Sequence, residues 1–183
     1  MSTMPEPLII VNTSPLIYLH QVNCLELLQQ LYSTITVPPA VPQELEVGKR
    51  QGVDVPIVNA IEWIQIRPVA SAALIPAIVD LGQGEAEVIA LGLENPDSLL
   101  VFDDQLARRI ANLYELKYTG TLGVLVKAKQ LGYLPLIAPI IIRLRTQGMW
   151  LTDKIIDDVR QISRRVMAAS IPWQKLNKGN VNG

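Results

Sequence analysis

One cysteine and one histidine stand in the 183 residues, and that scarcity removes whole classes of chemistry. Cys24 alone cannot close an internal disulfide, and a cysteine zinc cluster is excluded. His20 alone excludes a histidine-rich metal site within one chain and leaves any Ser-His-Asp triad dependent on that residue. An excess of one charge is also missing. Lys plus Arg number 16 and Asp plus Glu 17, a formal net charge of −1. The chain is therefore no basic nucleic-acid coat, and any such contact has to come from a local patch. Long hydrophobic runs are missing as well. LIAPIII (136–142) falls well short of the ~20 residues of a membrane span. The start, MSTMPEPLIIVNTSPL, has no basic n-region, and Glu6 precedes its apolar run. The expectation is a soluble cytoplasmic protein with no membrane partner.

What is present is enough apolar material for a core. Hydrophobic residues make up 49% and charged residues 18%, which argues against disorder as the main state. The length suits a single domain, drawn at 1–170. A polar segment, 171–183, follows with Lys175, Lys178 and several Asn and Gly, and is expected to fray.

Short apolar runs alternate with helical periods. LIIV (8–11) reads as a buried strand ending at Asn12. Ser14-Pro15 reads as an N-cap followed by Pro at the first helical position, with the helix continuing toward Leu31 and breaking near Asn23. TITV (34–37) is a second strand, and a helix runs through Gln43-Glu44-Leu45 after a proline-rich opening. IEWIQI (61–66) suits a strand, while 70–79 is ambiguous. Gly82 and Gly84 precede the helix EAEVIALGLE, and Asn95-Pro96-Asp97 is a turn. SLLVF (98–102) runs straight into Asp103-Asp104 and the amphipathic helix QLARRIANLYEL. KYTGT (117–121) is a short strand or turn before another helix. Two more helices occupy 135–147 and 152–169, separated by Gly148, with Thr152 as the cap of the second. Buried strands alternating with helices predict a three-layer α/β/α domain with a central parallel sheet.

In such sheets, ligands bind at the carboxyl ends of the strands. That places Asn12-Thr13-Ser14 and Asp103-Asp104 at one crevice. With Glu44 and Glu85 they form a set of oxygen ligands suited to Mg²⁺ or Mn²⁺, ions that orient water and stabilise the transition state of phosphodiester hydrolysis. Each residue also has a plainer role. Asp103 or Asp104 suits a helix cap, and Glu44 and Glu85 suit the first turns of their helices. Asn12 suits a cap or an Asx-turn, and Ser14 a cap. Glu87, two residues beyond Glu85, points elsewhere. Arg108 lies four residues after Asp104, as either a structural ion pair or a phosphate contact.

VNTSPLIYL (11–19), PPAVPQEL (38–45), LGQGEAEVIALGLE (81–94), LLVFDDQLARRIA (99–111) and TGTLGVLVKAKQLGYL (119–134), in this order, together resemble a PIN-domain protein. The branch they resemble is bacterial and lies near the VapC-type toxins. The likeness runs from about residue 8 to about residue 160. It implies a compact α/β/α fold and a Mg²⁺- or Mn²⁺-dependent ribonuclease, often the toxin of a toxin–antitoxin pair. The family's first acid falls on Asn12, its second on Glu44, its third on Glu85 and the next on Asp104, with Asp103 as the alternative ligand. A further polar position of the family falls near Thr119 to Thr121. Thr13, Ser14, Arg108 and Thr121 are then the expected substrate contacts. Asn12 departs from the pattern, because an amide carries no charge. The alternative is a weakened or inactive PIN-fold module that binds RNA or a protein partner. The expected partners are RNA, a small antitoxin laid over the cleft, and a second copy in a C2 dimer.

Overall fold

The computed structural model describes residues 6–165. The strands are β1 (Ile9–Val11), β2 (Ile35–Val37), β3 (Ile64–Ile66), β4 (Leu99–Val101) and β5 (Lys117–Thr119). The helices are α1 (Thr13–Gln21), α2 (Leu27–Tyr32), α3 (Ala40–Arg50), α4 (Gln83–Glu94), α5 (Gln105–Leu113), α6 (Thr121–Gln130), α7 (Ala138–Thr146) and α8 (Asp153–Arg165). The strands form one sheet in the order β3-β2-β1-β4-β5, and every pairing is parallel. This is the expected three-layer α/β/α domain.

The central strands read as unbroken apolar runs because both of their faces are buried. Side chains alternate across a strand, and the packing follows that alternation. Ile9 and Val11 of β1 and Val101 of β4 join a large cluster with α1, α2, α6 and α8. Ile10, Leu100 and Phe102 join a second cluster with α4 and α5. Each such side chain, fully buried, contributes about 1.5–3 kcal/mol. Among the described residues no helix is long and apolar enough to cross a membrane.

Several expectations shift. The break near Asn23 is real: Asn23 takes φ 57° between α1 and α2. Ser14 does not cap α1. The helix starts at Thr13 with Asn12 in the cap position, and no side chain caps it. Pro15 falls at the third helical position, where it still costs no intrahelical hydrogen bond. β3 is shorter than 61–66, and the ambiguous stretch 70–79 holds a single 3₁₀ turn, Ala72–Leu74. Gly84 lies inside α4 rather than before it. Thr152 caps α8 as expected, its hydroxyl accepting from the Ile155 N–H at 3.2 Å. The expected end of that helix beyond 165, and the polar segment 171–183, lie outside the described residues.

The topology sets where chemistry can occur. β2 lies on one side of β1 and β4 on the other, so the chain changes winding direction at the β1–β4 pair. A crevice opens at the carboxyl ends of strands at such a point. Asn12 follows β1 and donates its backbone N–H to the Val101 carbonyl at 2.9 Å. Asp103 and Asp104 follow β4 on the adjacent rung.

Candidate functional site

Asn12, Glu44 and Glu85 meet at this crevice, although they come from three separate segments. Asn12 is fully buried. Its Nδ2–H donates to Glu85 Oε1 at 2.7 Å. Glu44, on α3, accepts at Oε1 from the Gly84 N–H at 2.8 Å. Its Oε2 accepts from the Thr13 hydroxyl. Each contact joins a different pair of elements, so the site holds the helices in register as well as presenting acids.

Gly84 is required by the closeness of this approach. A Cβ there would lie 2.6 Å from Asn12 Oδ1 and 2.7 Å from Glu44 Oε2, inside van der Waals contact. Those two oxygens therefore flank the same stretch of α4 backbone. Asn12 Oδ1 has no hydrogen-bond partner, and leaving a buried acceptor unpaired costs roughly 1–3 kcal/mol. An unpaired amide oxygen beside a carboxylate offers two oxygen donors that could hold a cation.

The electrostatics agree with crowded negative charge. Burial is the main force pushing the Glu85 carboxyl above its ordinary value, and the Glu44 and Asp104 carboxylates push it the same way. The Asn12 hydrogen bond and a backbone N–H oppose the rise. The Asp104 charge is therefore felt at Glu85. Asp104 also caps α5: Oδ1 accepts from the Ala107 N–H at 2.8 Å, and the residue is exposed at the rim.

Asp103 is engaged by the start of α6. Its Oδ1 accepts from the Thr121 N–H at 2.8 Å and its Oδ2 from the Thr121 hydroxyl at 2.6 Å. Arg108 Nη2 lies 3.8 Å from Asp103 Oδ1 and donates to the Phe102 carbonyl at 3.2 Å. Burial pushes the Asp103 carboxyl upward, and Thr121 and then Arg108 hold it down. Of the two readings of Arg108, the structure shows an ion pair, and its partner is Asp103 rather than Asp104. Thr121, fully buried, is committed to Asp103. Thr13 is tied to Glu44, and Ser14 sits half-buried in the first turn of α1.

The expectation of one cluster joining Glu44, Glu85, Asp103 and Asp104 needs correcting. Among the described residues no three His, Cys, Asp or Glu side chains come together as a metal-holding group. The reason is local: Asp103 serves α6 and Asp104 serves α5, while position 12 holds an amide. The donor set still suits a hard cation, because two carboxylates and the orphaned Asn12 Oδ1 are all oxygen ligands. It carries less charge than the expected set.

Two features escaped the sequence. Gly84 reads as a residue before a helix, although a glycine inside one is itself a sign of close approach. Glu87 is buried, and its Oε2 accepts from the Ala40 N–H at 3.0 Å. Nothing in the local sequence signals that contact, because its partner lies 47 residues away.

No curated protein and no solved structure matches the chain. A family model described as PIN domain matches residues 8–165, a span that holds every strand and helix named above. The chain belongs to the PIN-domain family.

Proposed function

We propose that the protein is a metal-dependent ribonuclease, with Mg²⁺ or Mn²⁺ held by Glu44, Glu85 and Asn12 Oδ1 and with Asp104 at the rim. Membership of the PIN-domain family supports a nuclease in general. The observation that carries the finer reading is the buried, unpartnered Asn12 Oδ1 beside the Glu44 carboxylate. A divalent ion bound there supplies Lewis acidity and a lowered pKa for bound water. The chain's own residues do the rest. Thr13 and the Gly84 N–H fix the Glu44 carboxylate, the Asn12 amide fixes Glu85, and Asp104 adds negative charge facing Glu85. RNA is the proposed substrate.

The resemblance to VapC-type toxins supports a narrower role, as the toxin of a toxin–antitoxin pair held by a small antitoxin, dimeric and cytoplasmic. Co-purification with the product of a short adjacent gene tests that role.

A second reading has an observation of its own. Asn12 is uncharged, and no three-acid group forms among the described residues. That reading is a weakened PIN-fold module that binds RNA or a protein without cutting.

Single-turnover cleavage of labelled RNA with Mn²⁺ or Mg²⁺ separates the two. The nuclease reading expects metal-dependent cleavage that Glu44→Gln abolishes. RNA binding without cleavage at any metal concentration establishes the second reading instead.

A further inference from the structure

We infer that Glu87 is a positioning residue, which caps α3 through space and thereby sets the height of Glu44 against Glu85 and Asn12. The inference rests on the proposed metal site and deepens it. A helix start leaves backbone N–H groups without intrahelical partners. α3 begins at Ala40 behind Pro39, and no local side chain caps it. The missing acceptor comes from α4: Glu87 Oε2 takes the Ala40 N–H at 3.0 Å. Its other oxygen is held by Gln83 Nε2 at 3.1 Å, one turn back on the same helix. A carboxylate at a helix N-terminus also meets the positive end of the helix dipole.

The spacing makes this contact the second half of a clamp. Ala40 and Glu44 are four residues apart on α3, and Gly84 and Glu87 three apart on α4, so each pair shares one helix face. Gly84 N–H holds Glu44 Oε1 at 2.8 Å, and Glu87 holds Ala40. Two points joining the same two helices fix both their separation and their relative height. Without the Glu87 contact, the start of α3 loses its tie to α4 and is able to shift against the Gly84 and Thr13 contacts that hold Glu44. Glu44 then leaves its place beside Asn12 Oδ1, although every ligand is still in the chain. A displacement of about 1 Å in such a site is able to lower the rate on the order of 10²-fold.

The test compares full-length wild type, Glu87→Ala, Glu87→Asp, Glu87→Gln and Glu44→Gln by three measurements. These are Mn²⁺ binding by calorimetry, single-turnover RNA cleavage across RNA concentrations, and thermal unfolding in chelator. Glu87→Asp keeps the charge but draws the carboxylate back by one methylene, and it covers the case in which Glu87→Ala fails to fold. The expected result for folded Glu87→Ala or Glu87→Asp is weaker Mn²⁺ binding and a cleavage rate lower by about tenfold or more. Half-saturation by RNA stays unchanged. Glu87→Gln, whose amide oxygen still accepts from Ala40, restores most of both. If Glu87→Ala and Glu87→Asp bind Mn²⁺ and cut RNA within twofold of wild type while Glu44→Gln has lost both, the positioning role is overturned and the metal site stands. If wild type binds no Mn²⁺, or Glu44→Gln binds it equally well, the metal site itself falls and the positioning role falls with it.

Discussion

Asp103 and Asp104 are consecutive residues that secure two different helices. Asp104 accepts from the Ala107 N–H and starts α5. Asp103 accepts twice from Thr121 and holds the start of α6. Of the two, Asp104 is the one whose charge pushes the Glu85 carboxyl upward.

This division makes Asp104 separable by substitution. Asp104→Ala loses the α5 cap and is expected to lower stability by about 0.5–2 kcal/mol, read as a lower denaturant midpoint. Asp104→Asn keeps a good capping side chain, so its midpoint stays near wild type. Both remove the negative charge facing Glu85, and both are expected to slow metal-dependent RNA cleavage. A stable Asp104→Asn that cuts at the wild-type rate restricts Asp104 to capping.

Thr121→Val removes the hydroxyl that donates to Asp103 Oδ2 and leaves the backbone N–H bond in place. Hydrogen bonds to charged groups contribute about 1.5–3 kcal/mol, and the loss is expected in that range by chemical denaturation. Thr121→Ser returns the donor and should recover most of it. A loss well below 1 kcal/mol would mean that water replaces the hydroxyl and that Asp103 is less enclosed than its contacts require.

The pH dependence of stability follows from two carboxyls that both lie above their ordinary values, 3.8 for Asp103 and 4.5 for Glu85. Burial is the leading cause for each. Between the ordinary value and the raised one, the folded chain binds more protons than the unfolded chain. Stability therefore falls as pH rises through that window and is regained as pH falls. In chelator, unfolding midpoints are expected to rise on moderate acidification from neutral pH. Glu85→Gln should flatten the slope. Thr121→Val should steepen it, because Thr121 is what holds the Asp103 carboxyl down. A wild-type midpoint that only declines from neutral pH downward contradicts the raised values.

The same residues show how far a sequence carries and where it stops. β1 and β4 are legible because both faces of each strand are buried, which leaves an apolar run in the sequence. Their carboxyl ends then locate Asn12 and the Asp pair without further help. What each side chain does there depends on partners remote in sequence. Asn12, Thr13 and Ser14 are all capping-type residues. The amide that takes the cap position is instead drawn to Glu85, 73 residues away. Asp103 and Asp104 are chemically identical, and only the placement of α6 against β4 decides which one turns inward. Glu87 has the same character. A helix cap supplied by another helix leaves no mark near either residue.

Asn12→Asp tests the central feature of the site, the uncharged oxygen donor, in both the absence and the presence of metal. Without metal, the substitution removes the N–H that Glu85 accepts and adds a negative charge between two carboxylates. The lost hydrogen bond to a charged group alone is worth about 1.5–3 kcal/mol, so the variant should unfold several degrees lower than wild type in chelator. With Mn²⁺ the sign reverses. A third carboxylate raises the charge of the ligand set and hence its affinity, and a ligand bound only by the folded chain stabilises it in proportion to the logarithm of its concentration over its dissociation constant. The rise in unfolding temperature on adding Mn²⁺ is therefore expected to be larger for Asn12→Asp than for wild type, with faster RNA cleavage alongside. The same rise in both proteins would mean that position 12 does not face a bound ion, and the orphaned Oδ1 would then need another partner, such as a buried water.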